Sequence, residues 1–535
     1  MSPRSSCFTK QSDDVEKAEG PADFERAIKL TGYGRFNYLL LLAILPAGCA
    51  SIYSSTSMSY VLSSAECDLS LTLFDKGLLN SMPFAGMIVT SFFWGFMTDT
   101  FGRKKILMYG YLTTSLVSLS SSLSQTSGML IFFKFLNGVV ISGPFSALMS
   151  YLAEVHGEQQ RSRIYMWLGI FYSIAHITMP CLAWLIIPQT WQWSVAGGTF
   201  RVTSWRIFLA VCAIPEVAAF IALSWFPESP RFLLSKGRDQ DALEVFRRIY
   251  SLNSGKEAHT YPVKSLENEV LVKDKSKSLM ESLSGGWQQI KPLFNSHYVF
   301  RLILIGAIQF GGTVGSNSLR LWMPQLFTII ETYEANHPIK TSGPFPSICV
   351  MIDESRKHEY HLEQTPSSNR TVQFSGVCAP VVLNSTVYIN SIVIALTGVI
   401  GYTLAGTIIN AVGKKKLMVF CFLSAGLCCG VLYWAEDSNG ILGISAVFVA
   451  LSSIGGAAVI NFIVDNFPTC LRTMAISITM MSGRFGAVAG NLLFPVLFDA
   501  GCLGPFVMIG IACLICSLLV FFIPQKDAPE EIPEQ

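Results

Sequence analysis

Residues 95–105 read Gly95-Phe96-Met97-Thr98-Asp99-Thr100-Phe101-Gly102-Arg103-Lys104-Lys105, a polar hinge between two long apolar runs. Its glycine and basic triplet return as Gly413-Lys414-Lys415-Lys416, 311 positions later. The same offset carries Glu154 and Arg161, in Tyr-Leu-Ala-Glu-Val-His-Gly-Glu-Gln-Gln-Arg, onto Asp465 and Arg472, in Phe-Ile-Val-Asp-Asn-Phe-Pro-Thr-Cys-Leu-Arg. Two acid-and-base landmarks that keep one register across half a chain predict an internally duplicated helical bundle.

The totals agree with a bundle that lives in lipid. The chain has 535 residues, 51% hydrophobic and only 14% charged, with a mean hydropathy of +0.45, as expected of a polytopic membrane protein and not of a soluble enzyme. A net charge of +2 without a basic stripe of interleaved aromatics points away from nucleic acid. The fourteen cysteines fall mostly inside apolar runs as small core residues, and no metal or other cofactor is expected. Residues 1–36 are hydrophilic, so no cleaved leader is expected and the first span serves as the insertion signal.

A span needs about 20 apolar residues to cross the hydrocarbon. Twelve runs qualify, near 37–62, 77–98, 106–125, 129–153, 164–187, 206–226, 302–328, 387–410, 417–434, 441–464, 474–498 and 504–523. Lys and Arg fall in alternate gaps: Arg103 to Lys105, Arg161 and Arg163, Lys414 to Lys416, and Arg472. The positive-inside rule puts those gaps, and with an even count both termini, in the cytosol. The expected organisation is a cytosolic N-terminal segment 1–36, a six-helix bundle 37–226, a polar cytosolic linker 227–300 with an amphipathic helix near Asp241 to Tyr250, a second bundle 301–523, and a cytosolic tail 524–535. The long external loop 329–386 holds both N-x-[ST] sequons, Asn369 and Asn384, the first farther from the membrane and favoured for glycosylation. Cys349 and Cys378 in that loop are a candidate disulfide, with Cys67 and Cys502 as external competitors.

Charges inside or beside the bilayer need partners. Gly102 permits a tight turn, and Asp99 can pair with Arg103. With Glu154, Arg161, Asp465 and Arg472 they form a candidate latch that joins two halves at the inner face, against the plainer reading of interfacial charges that set topology. The second hinge, Asn410-Ala-Val-Gly-Lys-Lys-Lys, lacks the acid of the first, so its latch is expected to be weaker. Within the spans, Lys134, His176, Glu216 and Arg484 are candidates for substrate or coupling-ion contact. Arg484 is the deepest cation, about 15 Å into span eleven at 1.5 Å per residue. It can hold an anionic solute or pair with a carboxylate. Glu216 can bind a proton or a cationic solute, or lie buried as a neutral acid; His176 also suits a hydrogen-bonded core position. Lys134 and Arg320 can snorkel. Ser51, Tyr53, Ser54, Ser55, Asn317 and Asn461 suit a hydrogen-bonding central cavity.

After span six stands Pro227-Glu228-Ser229-Pro230-Arg231, whose Glu228 and Arg231 join the inner charge cluster. With the hinge and the Glu154 to Arg161 segment, it resembles the sugar porter branch of the major facilitator superfamily. Asp23-Phe-Glu-Arg-Ala-Ile-Lys-Leu-Thr-Gly-Tyr-Gly-Arg-Phe-Asn-Tyr before span one, Leu62-Ser-Ser-Ala-Glu-Cys-Asp-Leu after it, and the long loop between spans seven and eight extend the likeness over residues 23–523. Together they resemble the synaptic vesicle glycoprotein 2 family and its insect-type relatives. The loop's position separates the chain from organic cation transporters, whose large loop follows span one. Lys134 occupies the place where sugar porters carry an arginine. Span one has Pro46 and hydroxyls but no carboxylate, unlike proton-coupled relatives, which argues against simple proton symport.

The resemblance implies an all-α membrane fold of twelve helices in two repeats, and transport of a small polar or charged solute by alternating access in a vesicle or plasma membrane. The contrasting expectation is a non-transporting vesicle protein that acts through trafficking partners on its cytosolic tails. No constellation for an enzyme is present. A monomer is expected.

Overall fold

The computed structural model describes residues 22–195, 200–266, 293, 296–336, 347–352, 385–435, 438–467 and 469–523. Apolar runs become helices because lipid offers the backbone no partner, so each segment must satisfy its own N–H and C=O groups. A short α1 (Phe24–Leu30) precedes the first span, α2 (Arg35–Thr56) continued by α3 (Met58–Leu69). Then come α4 (Leu73–Phe101), α5 (Arg103–Ser122), α6 (Ser127–Glu154) and α7 (Glu158–Ile186). A hairpin of β1 (Gln192–Val195) and β2 (Phe200–Thr203) leads to a sixth span made of α8 (Ser204–Val211) and α9 (Ile214–Ser224). After α10 (Pro230–Ser235) and α11 (Asp239–Ser254), the second half runs α12 (Ser296–Asn336), α13 (Ser385–Val412), α14 (Lys414–Tyr433), α15 (Ser438–Asn466), α16 (Thr469–Ala500) and α17 (Leu503–Phe521).

Nine of the described helical stretches are long and apolar enough to cross a membrane. The twelve are completed by α4 and α5, diluted by Ser, Thr and terminal charges, and by α13, which carries the apolar run 387–410.

The duplication is visible in backbone geometry. Gly102 ends α4 and opens α5 at φ 100°, and Gly413 does the same between α13 and α14 at φ 88°. Only glycine takes that region without strain, so each hinge reverses the chain in one residue. Elsewhere, side-chain caps start helices: Thr72 accepts from the Asp75 N–H, and Thr126 from the Met129 N–H.

Within each half, one pair of helices packs backbone to backbone. A Cβ at Gly138 of α6 would lie 2.0 Å from the Pro83 carbonyl oxygen of α4, and one at Gly486 of α16 would lie 2.3 Å from the Phe310 carbonyl oxygen of α12. The halves then meet along α4 with α16, α7 with α13, and α3 with α12.

Residues expected as a separate N-terminal segment and a linker share one small core. Phe24, Ala27 and Ile28 of α1 pack on Leu243, Phe246, Tyr261 and Val263. The Tyr261 hydroxyl donates to the Ala27 carbonyl at 2.7 Å, and Asn253 Nδ2 donates to the Thr31 and Gly32 carbonyls. The amphipathic helix, with Ala242, Leu243, Val245, Phe246 and Ile249 on its buried face, runs from Asp239 to Ser254, where Gly255 in the left-handed region ends it.

The candidate disulfide is corrected. Cys349 bonds Cys502, with Cα atoms 5.3 Å apart, because the turn at residues 348–352 docks beside the end of α14 and next to the start of α17. Cys67 is also disulfide-bonded. Cys378, Asn369 and Asn384 lie outside the described residues.

Candidate solute and coupling site

Three groups of polar side chains lie inside or between the halves. The first is buried within the N-terminal half. Span six breaks at Cys212 and Ala213, so Glu216, expected in mid-helix, falls in the first turn of α9 with Pro215 beside it. That position is at the positive end of the α9 dipole, which favours a carboxylate. Glu216 Oε1 accepts from Ser54 Oγ and Ser118 Oγ, each at 2.9 Å, and Asn137 Nδ2 donates to Ser118 Oγ at 2.7 Å. Lys134 Nζ donates to Ser57 Oγ at 2.9 Å.

Lys134 is therefore not snorkelling. It is 3% exposed and Glu216 1% exposed, and both line a water-sized void of about 10 Å³ together with Ser54, Ser57, Ser118 and Tyr53. Glu216 Oε2 and Asn137 Oδ1 have no hydrogen-bond partner. The hydroxyls of Ser57, Ser118 and the Asn137 amide were not singled out in the sequence, since serine in a span is an ordinary back-bonding residue; only tertiary packing aims these three at Glu216 and Lys134.

The second group crosses between halves. Arg320 Nη2 donates to Ser453 Oγ at 2.8 Å, and Arg320 Nη1 stands 3.5 Å from His176 Nε2. Arg320, expected to snorkel, instead ties α12 to α15 and reaches α7. Arg484 in α16 holds its guanidinium 5.9 Å from the ring centroid of Phe145 in α6. Among the described residues no carboxylate pairs with Arg484. Asn317 is half-buried in α12. Asn461 leaves the central position expected for it: near the end of α15, its backbone carbonyl accepts from Lys414 Nζ at 3.1 Å, beside the second hinge. Away from the basic hinges, Ser63 Oγ donates to Gln325 Oε1 at 2.7 Å, closing α3 on α12.

The third group is the charge cluster at the first hinge. Arg103 pairs with Asp99 at 2.9 Å and with Glu154 at 3.0 Å, and Ser229 Oγ donates to Glu154 at 2.5 Å. Glu228 accepts from the Lys104 and Ser229 N–H groups, both at 2.9 Å, and sits where a Cβ on Gly102 would be. Two expected members turn elsewhere. Arg161 pairs with Glu25 at 2.5 Å, and Arg231 lies over the Phe24 ring at 5.6 Å, so both hold α1. Arg472 Nε is buried with no hydrogen-bond partner among the described residues, and the Asp465 side chain lies outside them. The pairs described at this basic face stay within one half: Arg103 with Glu154 in the first, and Lys415 with the Phe521 and Ile523 carbonyls in the second.

No His, Cys, Asp and Glu grouping among the described residues is arranged to hold a metal. Cys513-Leu-Ile-Cys516 has the spacing of a thiol pair but is buried in α17, with Cys516 Sγ donating to the Ile308 carbonyl.

This architecture has close counterparts. The profile described as Sugar (and other) transporter matches residues 43–334, and the one described as Major Facilitator Superfamily matches residues 383–535. The chain belongs to the sugar (and other) transporter family. Among similar members are human synaptic vesicle glycoprotein 2C, 29% identical over 61% of this chain and 47% of its own length, and bovine synaptic vesicle glycoprotein 2A, 30% identical over 58% and 40%. The chain spans less than half the length of these two relatives; the match to human synaptic vesicle glycoprotein 2B, 22% identical, reaches 88% of this chain and 81% of that one. The fold is that of the xylose transporter XylE from E. coli: its inward open conformation gives a TM-score of 0.63 at 14% identity over 92% of this chain and 97% of that one, and its partially occluded inward open conformation gives 0.62 over 91% and 98%. Family and fold are those of transporters, built as twelve helices in two repeats.

Proposed function

We propose that the protein moves a small polar solute bearing a negative group across the membrane by alternating access. The observation that carries this is Arg484, a cation within a span at the seam between the halves, facing an aromatic ring and no described carboxylate. An uncompensated guanidinium in lipid is costly, and an anionic solute would relieve that cost. His176, Arg320 and Ser453 supply further donors and acceptors along the same seam.

Glu216 takes the coupling role in this reading. Residues 37–62 of span one hold no acid, but Ser54 and Ser57 there bind the acid of span six and the lysine of span four, so the charges missing from that stretch stand on its neighbours. The charge cluster around Arg103 acts as the inner latch of the first half, releasing and re-forming as the halves rock. The distribution of Lys and Arg supports a cytosolic basic face and cytosolic termini. In the conformation described, the Ser63–Gln325 hydrogen bond closes the halves away from the basic hinges, which supports a site open toward the cytosol.

The test is uptake of a metabolite mixture into liposomes holding the full chain, with and without a pH gradient. Wild type should enrich an anionic solute, Arg484→Ala should abolish that enrichment, and Glu216→Gln should remove its dependence on the gradient. Enrichment of neutral solutes alone, unaffected by Arg484→Ala, would refute the assignment of Arg484. The vesicle in the names of the synaptic vesicle glycoprotein relatives gives weaker support to a second reading, a non-transporting vesicle protein that acts through its tails. Folded protein that enriches nothing under either condition would favour it.

A further inference from the structure

A cavity of about 520 Å³ opens at the basic face, between the first hinge and helices α10 and α11, and the solute path does not use it. Its walls carry Lys104, Lys105, Lys236, Arg238 and Arg248 against Glu228, Asp241 and Glu244. Two of the acids are already engaged. Asp241 pairs with Arg238 at 2.6 Å, and Glu228 accepts the Lys104 and Ser229 N–H groups. Three ammonium groups and the Arg248 guanidinium are left opposite Glu244, and among the described residues none of these four has an ion-pair partner.

The position is at the membrane boundary. Phe101, on the wall, is 50% exposed at the end of α4, and Arg248 donates to the carbonyl of Trp225, which is 75% exposed where the sixth span ends. Exposed aromatics at a span terminus mark headgroup level. Several compact cations around a cavity of this size suit a ligand with concentrated negative charge. We infer that this cavity binds a multiply phosphorylated headgroup, presented by an inner-leaflet phosphoinositide or by a soluble phosphorylated polyol.

Occupancy would bridge the α4–α5 hinge to α10 and α11, and so would bear on the latch, whose Glu228 and Arg103 flank the same wall. The membrane-level mouth favours the lipid as source.

The experiment is thermal unfolding of the full chain in detergent with short-chain phosphatidylinositol bisphosphate, inositol trisphosphate, or short-chain phosphatidylcholine. The first should raise the midpoint saturably and the third should not. Equal shifts from the first two would identify a soluble phosphate compound; a shift from the lipid alone would identify the bilayer as source. Combined Lys236→Ala and Arg248→Ala, both on exposed side chains, should weaken binding roughly 30-fold, the scale of two basic contacts at an anionic surface. Lys236→Arg with Arg248→Lys should keep it. No saturable shift from either phosphate probe, or affinity unchanged in the double alanine variant, overturns the inference.

Discussion

Gly102 and Gly413 have the same unusual backbone but different neighbours, and that contrast gives a measurable asymmetry. A methyl group at Gly102 would meet Glu228 Oε2 at 2.4 Å and Phe232 Cε1 at 2.9 Å, whereas one at Gly413 would meet nothing within 4 Å. Alanine at either site costs about 1–3 kcal/mol for the backbone alone. Gly102→Ala should therefore lower the thermal midpoint more than Gly413→Ala. Equal effects would mean that the Glu228 contact contributes nothing. Beside the same cluster, His156 is 1% exposed, donates Nδ1–H to the Leu152 carbonyl at 2.9 Å and has no partner for Nε2. Burial pushes its pKa down from 6.5 to about 4. The unfolded chain then binds the extra proton first on acidification, so stability contributed by neutral His156 is intact above about 6.5 and is lost progressively toward about 4. The full effect is about 3 kcal/mol, and His156→Gln should flatten the pH profile of unfolding across that window.

At the scale of elements, α1 and α11 form a shell that packs on the spans as a folded unit. Phe246 is wholly buried at its centre, edge-on to Phe24 at 5.8 Å and stacked near Tyr261. Phe246→Ala should cost about 3–5 kcal/mol locally and expose residues 239–263 to limited proteolysis while the spans stay folded. Uniform resistance in the variant would show that α11 is held by its contacts to the hinge and not by this core. The Cys349 to Cys502 bond closes a loop of 153 residues across the second half. Cys349→Ser should lower the unfolding midpoint under oxidising conditions, by a free energy of roughly 5 kcal/mol on the chain-entropy scale, and reduction of the wild type should match it in part.

For the whole molecule, the two halves balance contacts at one face against contacts at the other. Ser63, bonded to Gln325 and Thr328, holds the face away from the hinges. Removing the Gln325 amide deletes a buried hydrogen bond worth about 1 kcal/mol, or roughly a fivefold shift in conformer ratio. Gln325→Ala should raise thiol labelling of a cysteine placed at Tyr60 or Thr328 by about that factor. No change in labelling would mean that the α3 to α12 seam does not limit opening.

Fold class, span number and duplication were legible in the sequence because each rests on a local rule. Lipid demands helices of set length, and the hinge glycines and their basic triplets repeat at a constant offset. Pairings were legible only where both partners lay close in sequence or in the repeated motif, as with Asp99, Arg103 and Glu154. Tertiary structure decided the rest. It turned Arg161 and Arg231 to α1, drew Lys134 inward to Ser57, set Glu216 at a helix start among three spans, and chose Cys502 over Cys378 for Cys349. The reason is physical: hydropathy and spacing fix how far a residue sits along its own helix, but a buried charge or thiol takes its partner from the helix rotated against it, and that rotation belongs to the packing of the whole bundle.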